Sequence, residues 1–200
     1  QNKAEYLKKI GKVIDELEIL IDLSPTSERL NIIGSTYKRQ AFLSGKTLKA
    51  KAYLKAAESY HRGYTNFNNW YSLTNWLIIE STLIRAGLRN WSTDLDKEGK
   101  PIGYIIPSLE ESLRLLEVSR ISMTQNEERM SYWDMLACLN IRLCKFILLF
   151  SESDSRTDLD NIIQEITTLW KIAGSKGKRF AEIEHLEFII DALSVNENAQ

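Results

Sequence analysis

Two Glu-x-x-His motifs stand out among the residues able to do chemistry: Glu58 with His61, and Glu182 with His185. On a helix, positions i and i+3 share a face, and two such pairs with two further carboxylates build the di-iron site of ferritin-like bundles. Glu80, inside an apolar segment, is the candidate third carboxylate. Against this, Ala56, Tyr60 and Gly63 mark the packed face of the same helix, which leaves Glu58 and His61 off it. Arg62 is a poor neighbour for a cation, and the preceding helix offers only Glu28, at its entrance. Cys138 and Cys144 lie among Leu136, Leu139, Ile141, Leu143 and Phe146, where a thiol serves as a small hydrophobe. No Ser-His-Asp order, Gly-rich phosphate loop or zinc spacing is present. The expectation is no catalytic residue, no metal and no cofactor, with a di-iron carboxylate enzyme as the alternative.

The remaining polar and aromatic residues point to recognition. Lys46, Lys49, Lys51 and Lys55, followed by Arg62 and interrupted by Glu58, read as a solvated helix face rather than a phosphate site. Of the five tryptophans, Trp70, Trp76, Trp133 and Trp170 fall at packing positions and are expected in the core. Trp91 opens a polar loop and is a candidate contact anchor.

The elements that must position these groups are helices. The chain has 200 residues, 44% hydrophobic and 10% aromatic, with 9 Gly and 3 Pro, which excludes disordered and collagen-like classes. Lys plus Arg is 26 and Asp plus Glu is 27, so bulk charge does not predict a nucleic-acid binder, although it leaves room for a local patch. No apolar run reaches the roughly 18 residues of a membrane span. Two cysteines in one helical pattern and no signal-peptide pattern fit a cytoplasmic setting, and a start at Gln1 reads as a fragment of a larger protein.

From Tyr6, the recurrence Leu7, Ile10, Val13, Ile14, Leu17, Leu20 and Ile21 predicts a helix ended by Pro25. Thr26 or Ser27 caps a second, through about Leu43, and a third runs from about Thr47 to Tyr64. A fourth, from Trp70 to about Ala86, is apolar nearly all round. Residues 87–107 form the only long irregular stretch, mobile or partner-dependent, with a strand-like run from Ile102 to Ile106. Ser108 with Glu111 has capping-box spacing and opens a fifth helix to about Met123. The sixth is expected from about Asn126 to Phe150, the seventh from about Leu159 to Ala173, and the eighth from about Arg179 to Leu193. Asn196 to Gln200 should fray. The fold class is all-α.

Spacing inside these helices repeats. Leu30, Ile33, Gly34 and Tyr37 have counterparts in Trp70, Leu73, Thr74 and Leu77, and in Trp133, Leu136, Ala137 and Asn140. Ala56, Tyr60 and Gly63 supply a matching second half. The pattern resembles the tetratricopeptide repeat (TPR), in which stacked antiparallel hairpins bury a continuous core. The anchors Leu30, Trp70 and Trp133 are 40 and 63 residues apart, so against a period of about 34 the repeats carry insertions.

The segments Ser27–Arg39, Tyr71–Leu77, Tyr132-Trp133-Asp134 and Glu184–Phe188 resemble bacterial TPR regions that accompany caspase-like CHAT peptidases or other effector domains. The resemblance implies one TPR-like domain over 1–200, about eight helices stacked as a short solenoid. It also implies a protein-protein interaction or regulatory scaffold in bacterial signalling or defence. First-of-pair helices line the concave face of such arrays, which collects Asn31, Ser35, Lys38 and Arg39, then Tyr71 and Asn75, then Asp134 and Arg142. The candidate partner-binding residues are Lys38, Arg39, Tyr71, Asn75, Trp91 and Arg142, facing a protein, a peptide or an attached effector domain. Neither membrane nor nucleic acid is expected as partner. A carboxylate clamp for chaperone tails would want Lys where Asn31 stands.

Overall fold

Helix ends are set by the small polar residues that the sequence places at them. In the computed structural model, which describes residues 2–124, 130–149, 156–173 and 175–194, Asn2 caps α1 (Lys3–Leu23) by accepting from the Ala4 amide at 3.2 Å. Thr26 caps α2 (Ser27–Phe42) through the Arg29 amide at 3.2 Å. The Arg29 guanidinium then turns back to donate to the carbonyls of Leu20 and Ser24, satisfying acceptors at the end of α1. Helix α3 (Lys46–Phe67) stops at Asn68, whose φ of 50° is the left-handed conformation that Asn tolerates. Asn69 caps α4 (Trp70–Arg85), accepting from the Ser72 amide at 2.9 Å.

Contacts divide the chain into two compact units, Gln1–Arg89 with Asp191–Gln200, and Asn90–Ile190. In the first, α1 packs on α2, α2 on α3 and α3 on α4. The core is Ile10, Ile14 and Ile21 from α1, Leu30 and Ile33 from α2, Ala56, Ala57 and Tyr60 from α3, and almost the whole of α4. Two glycines permit the approach. A Cβ on Gly34 would lie 2.8 Å from the Tyr60 ring, and one on Gly63 would collide with the Ser72 hydroxyl.

In the second unit, residues 90–107 are tied by backbone bonds from Ile102 to Asp94 and from Ile106 to Thr93, both 2.8 Å. The strand-like run from Ile102 to Ile106 joins no sheet, in keeping with the all-α expectation. Among the described residues, pairing is confined to an isolated bridge between Leu95 and Pro101, because a turn at Gly99 (φ 77°) leaves too little chain for a ladder. Ser108 caps α5 (Leu109–Thr124) through the Glu111 amide at 3.1 Å, while the Glu111 carboxylate turns to Arg114. Helix α6 is Tyr132–Leu149, with Met130 and Ser131 before it outside the helix; the expected start at Asn126 lies outside the described residues. Ser131 and Asp134 cap each other's backbone there, at 2.9 and 3.3 Å, which fixes the first turn.

With Tyr132 buried, Trp133, a helical step of about 100° away, is 49% exposed rather than in the core. Trp76 is buried as expected, and Trp70 and Trp170 are half-buried. Helix α7 (Arg156–Ala173) joins α6 through Arg142 and Glu165 at 2.6 Å, and α8 is Lys176–Ser194. The expected fraying of 196–200 lies outside the described residues. The described residues form eight helices and no strand.

Candidate functional site

Positions 31, 35 and 38 of α2 share one face at intervals of four and three, as do 71 and 75 of α4. Side-chain hydrogen bonds join these two faces in a row. The Ser72 hydroxyl donates to Asn31 Oδ1 at 2.6 Å, and Asn31 Nδ2 donates to Asn69 Oδ1 at 3.4 Å. Ser35 Oγ lies 3.0 Å from Tyr60 Oη and 3.4 Å from Tyr71 Oη. Lys38 Nζ donates to Asn75 Oδ1 at 2.6 Å and stands 5.6 Å from the centre of the Tyr60 ring. Asn75 in turn donates to the Tyr71 carbonyl at 2.8 Å.

Tyr60, fully buried against Gly34, is the pivot. Burial, then the neighbouring Tyr71, pushes its hydroxyl well above the ordinary tyrosine range, so it stays a neutral hydrogen-bonding group. Its ring edge meets Tyr71 at 6.0 Å. The Lys38 charge is held on this ring and an amide, an arrangement stabilised by cation–π attraction and a charge-assisted hydrogen bond. The row can orient hydroxyls and amides for directed recognition.

Lys38 and Asn75, expected at the surface, are 8% and 0% exposed. They brace the row from beneath. Tyr71, Ser35 and Asn31 are half-buried, and Arg39 is exposed. Trp91 and Arg142 belong to the second unit: Trp91 is half-buried, and Arg142 is exposed and paired with Glu165.

The residues weighed for metal chemistry have other partners. Glu58 is exposed and 3.4 Å from Lys55. His61 is half-buried with its ring 4.8 Å from that of Trp76, and burial pushes it down to about 4 despite the opposing Glu58 charge. Glu80 is fully buried and accepts from Arg89 at 2.8 Å and Trp76 Nε1 at 3.2 Å. Glu182 and His185 are buried one helical turn apart on α8, and the Glu182 charge helps to raise the Tyr132 hydroxyl, an effect led by burial. Among the described residues, no three His, Cys, Asp or Glu side chains gather as a metal set, so the di-iron alternative finds no support. Burial pushes the Cys144 thiol far above its ordinary value, a state unsuited to nucleophilic work.

The sequence missed the Glu80–Arg89–Trp76 cluster as a unit. Its only local signal was a carboxylate inside an apolar helix, which must find a buried partner.

A family model described as tetratricopeptide repeats-sensor (TPR-S) matches residues 1–80, the segment that holds α1 to α3 and most of α4. No curated protein and no solved structure matches the chain. The match and the eight helices of the described residues support an all-α, TPR-like helical-repeat fold, and the family description suggests an interaction or sensor module. No helix among the described residues is long and apolar enough to cross a membrane.

Proposed function

We propose that the chain is a non-catalytic module that recognises a protein partner, or holds an attached effector domain in a controlled state, within a bacterial signalling or defence protein. In its most specific form the effector is a caspase-like CHAT peptidase and the setting is cytoplasmic. The observation that carries this is the row joining α2 to α4 through Asn31–Ser72, Ser35–Tyr71 and Lys38–Asn75. A buried charge and the amides of Asn31 and Asn75 held in register cost stability unless they fix something, and here the row holds the half-buried Tyr71 against Ser35, with the exposed Arg39 one turn further along α2. Tyr and Arg are the side chains that most often anchor protein interfaces. Trp91 and Arg142 are proposed as contacts of the second unit.

A pull-down from the native host, paired with a melt of each variant, tests the assignment. Arg39→Ala and Tyr71→Phe should each weaken capture by about 1–2 kcal/mol with the melting temperature nearly unchanged. Full retention by the double variant would remove the binding surface from this row.

A further inference from the structure

The near-neutral total charge conceals a strong polarity along the chain. Residues 1–89 hold 14 Lys and Arg against 8 Asp and Glu, while residues 90–200 hold 12 against 19. Between Glu28 and Glu58, 29 consecutive positions carry seven Lys and Arg and no acid. A run of one sign on one part of a fold attracts a partner of the other sign.

The structure shows how this charge is displayed. Lys46, Lys51 and Lys55 are exposed on α3. Leu48, Lys51, Lys55 and Arg62 follow at intervals of three, four and seven, so they form one stripe about 21 Å long on the helix. Phe42 and Leu48, 55% and 60% exposed, flank the α2–α3 turn at the start of that stripe. Large apolar side chains beside lysines form a surface that is both basic and adhesive.

We infer that this α2–α3 surface docks an acidic, amphipathic protein segment, carboxylates on the lysines and apolar side chains on Phe42 and Leu48. It rests on the proposed role in protein recognition and adds the partner's chemistry and a second surface. Charge complementarity gives the sign, and the two apolar residues give the amphipathic character. Glu58 decides between polyanions: it is exposed within the stripe, 3.4 Å from Lys55. A phosphate backbone or a lipid headgroup plane is uniformly anionic and meets that carboxylate with repulsion. A peptide places a neutral side chain opposite it.

The probe is a labelled peptide alternating glutamate with leucine and phenylalanine, titrated into the full chain by fluorescence anisotropy. Saturable binding is expected, weakening as salt rises from about 50 to about 300 mM. Lys51→Glu with Lys55→Glu should weaken it by about tenfold or more, and Phe42→Ser with Leu48→Ser by about fivefold. Lys51→Gln with Lys55→Gln keeps the comparison valid if charge reversal disturbs the fold. No saturable binding, binding unchanged by both lysine variants, or tighter binding of a single-stranded oligonucleotide or of phosphatidylglycerol vesicles overturns the inference. Capture of a host protein that survives the lysine variants but is lost with Arg39→Ala and Tyr71→Phe overturns it while leaving the proposed function standing.

Discussion

Replacing a helical glycine by alanine should stabilise or destabilise this fold according to what the new methyl meets. A Cβ on Gly11 in α1 would have nothing within 4 Å, so Gly11→Ala gains only helix propensity, about 1 kcal/mol. Gly34 in α2 receives the same gain, but its Cβ would stand 2.8–2.9 Å from three atoms of the Tyr60 ring. The ring would have to retreat by about 0.6 Å to reach ordinary contact. It has little room, being 0% exposed with its hydroxyl held by Ser35 at 3.0 Å. Overpacking of this kind costs about 1–3 kcal/mol, which leaves Gly34→Ala net destabilising by about 0–2 kcal/mol and Gly34→Leu by more. Native-state hydrogen exchange of the α2 and α3 amides reads the first unit by itself. Gly11→Ala should raise protection and Gly34→Ala lower it. Equal stabilisation by both would mean that α2 and α3 do not meet at Gly34 and Tyr60.

His61, held down to about 4 by burial, is neutral in the fold, so its contribution is intact above the free-histidine value of about 6.5 and is lost as pH falls toward 4. Linkage bounds the loss at about 3 kcal/mol, and solvent access reduces it to about 1–2; urea melts at stepped pH should show it, with the slope flattened in His61→Gln. The Glu80–Arg89 pair is almost wholly buried, so Arg89→Ala should cost about 3–5 kcal/mol by stranding the carboxylate. Adding Glu80→Gln should recover part of that loss in a double-variant cycle, and no recovery would show that Arg89 acts through packing alone.

Helix identity was legible because it depends on neighbours three and four positions away. The stripe of Ile10, Ile14 and Ile21, the caps Thr26 and Ser108, and the all-round apolar fourth helix are local patterns, and the structure keeps each of them. The close approach at Gly34 and Gly63 was legible too, since a glycine inside a helix is costly unless another element needs the space. The failures arose where rotation about a helix axis mattered. One residue of register puts Tyr132 inside and Trp133 outside, and the reciprocal cap of Ser131 and Asp134, not the periodicity, set the start of α6.

The candidate site divides the same way. The resemblance to TPR arrays gathered Asn31, Ser35, Lys38, Arg39, Tyr71, Asn75, Asp134 and Arg142 on one face, whereas helical spacing by itself aligns only residues of the same helix. Whether each member faces solvent or the neighbouring helix is a question of packing between residues such as Lys38 and Asn75, 37 positions apart. Burial of the Lys38 ammonium on an amide and an aromatic ring follows from how α2, α3 and α4 come together. The same holds for Glu80, whose partner Arg89 lies beyond the end of its own helix. Periodicity is written in consecutive residues and survives any arrangement of the helices. The partner of a buried charge is chosen only when the helices close on one another, since desolvation then makes every unpaired group costly.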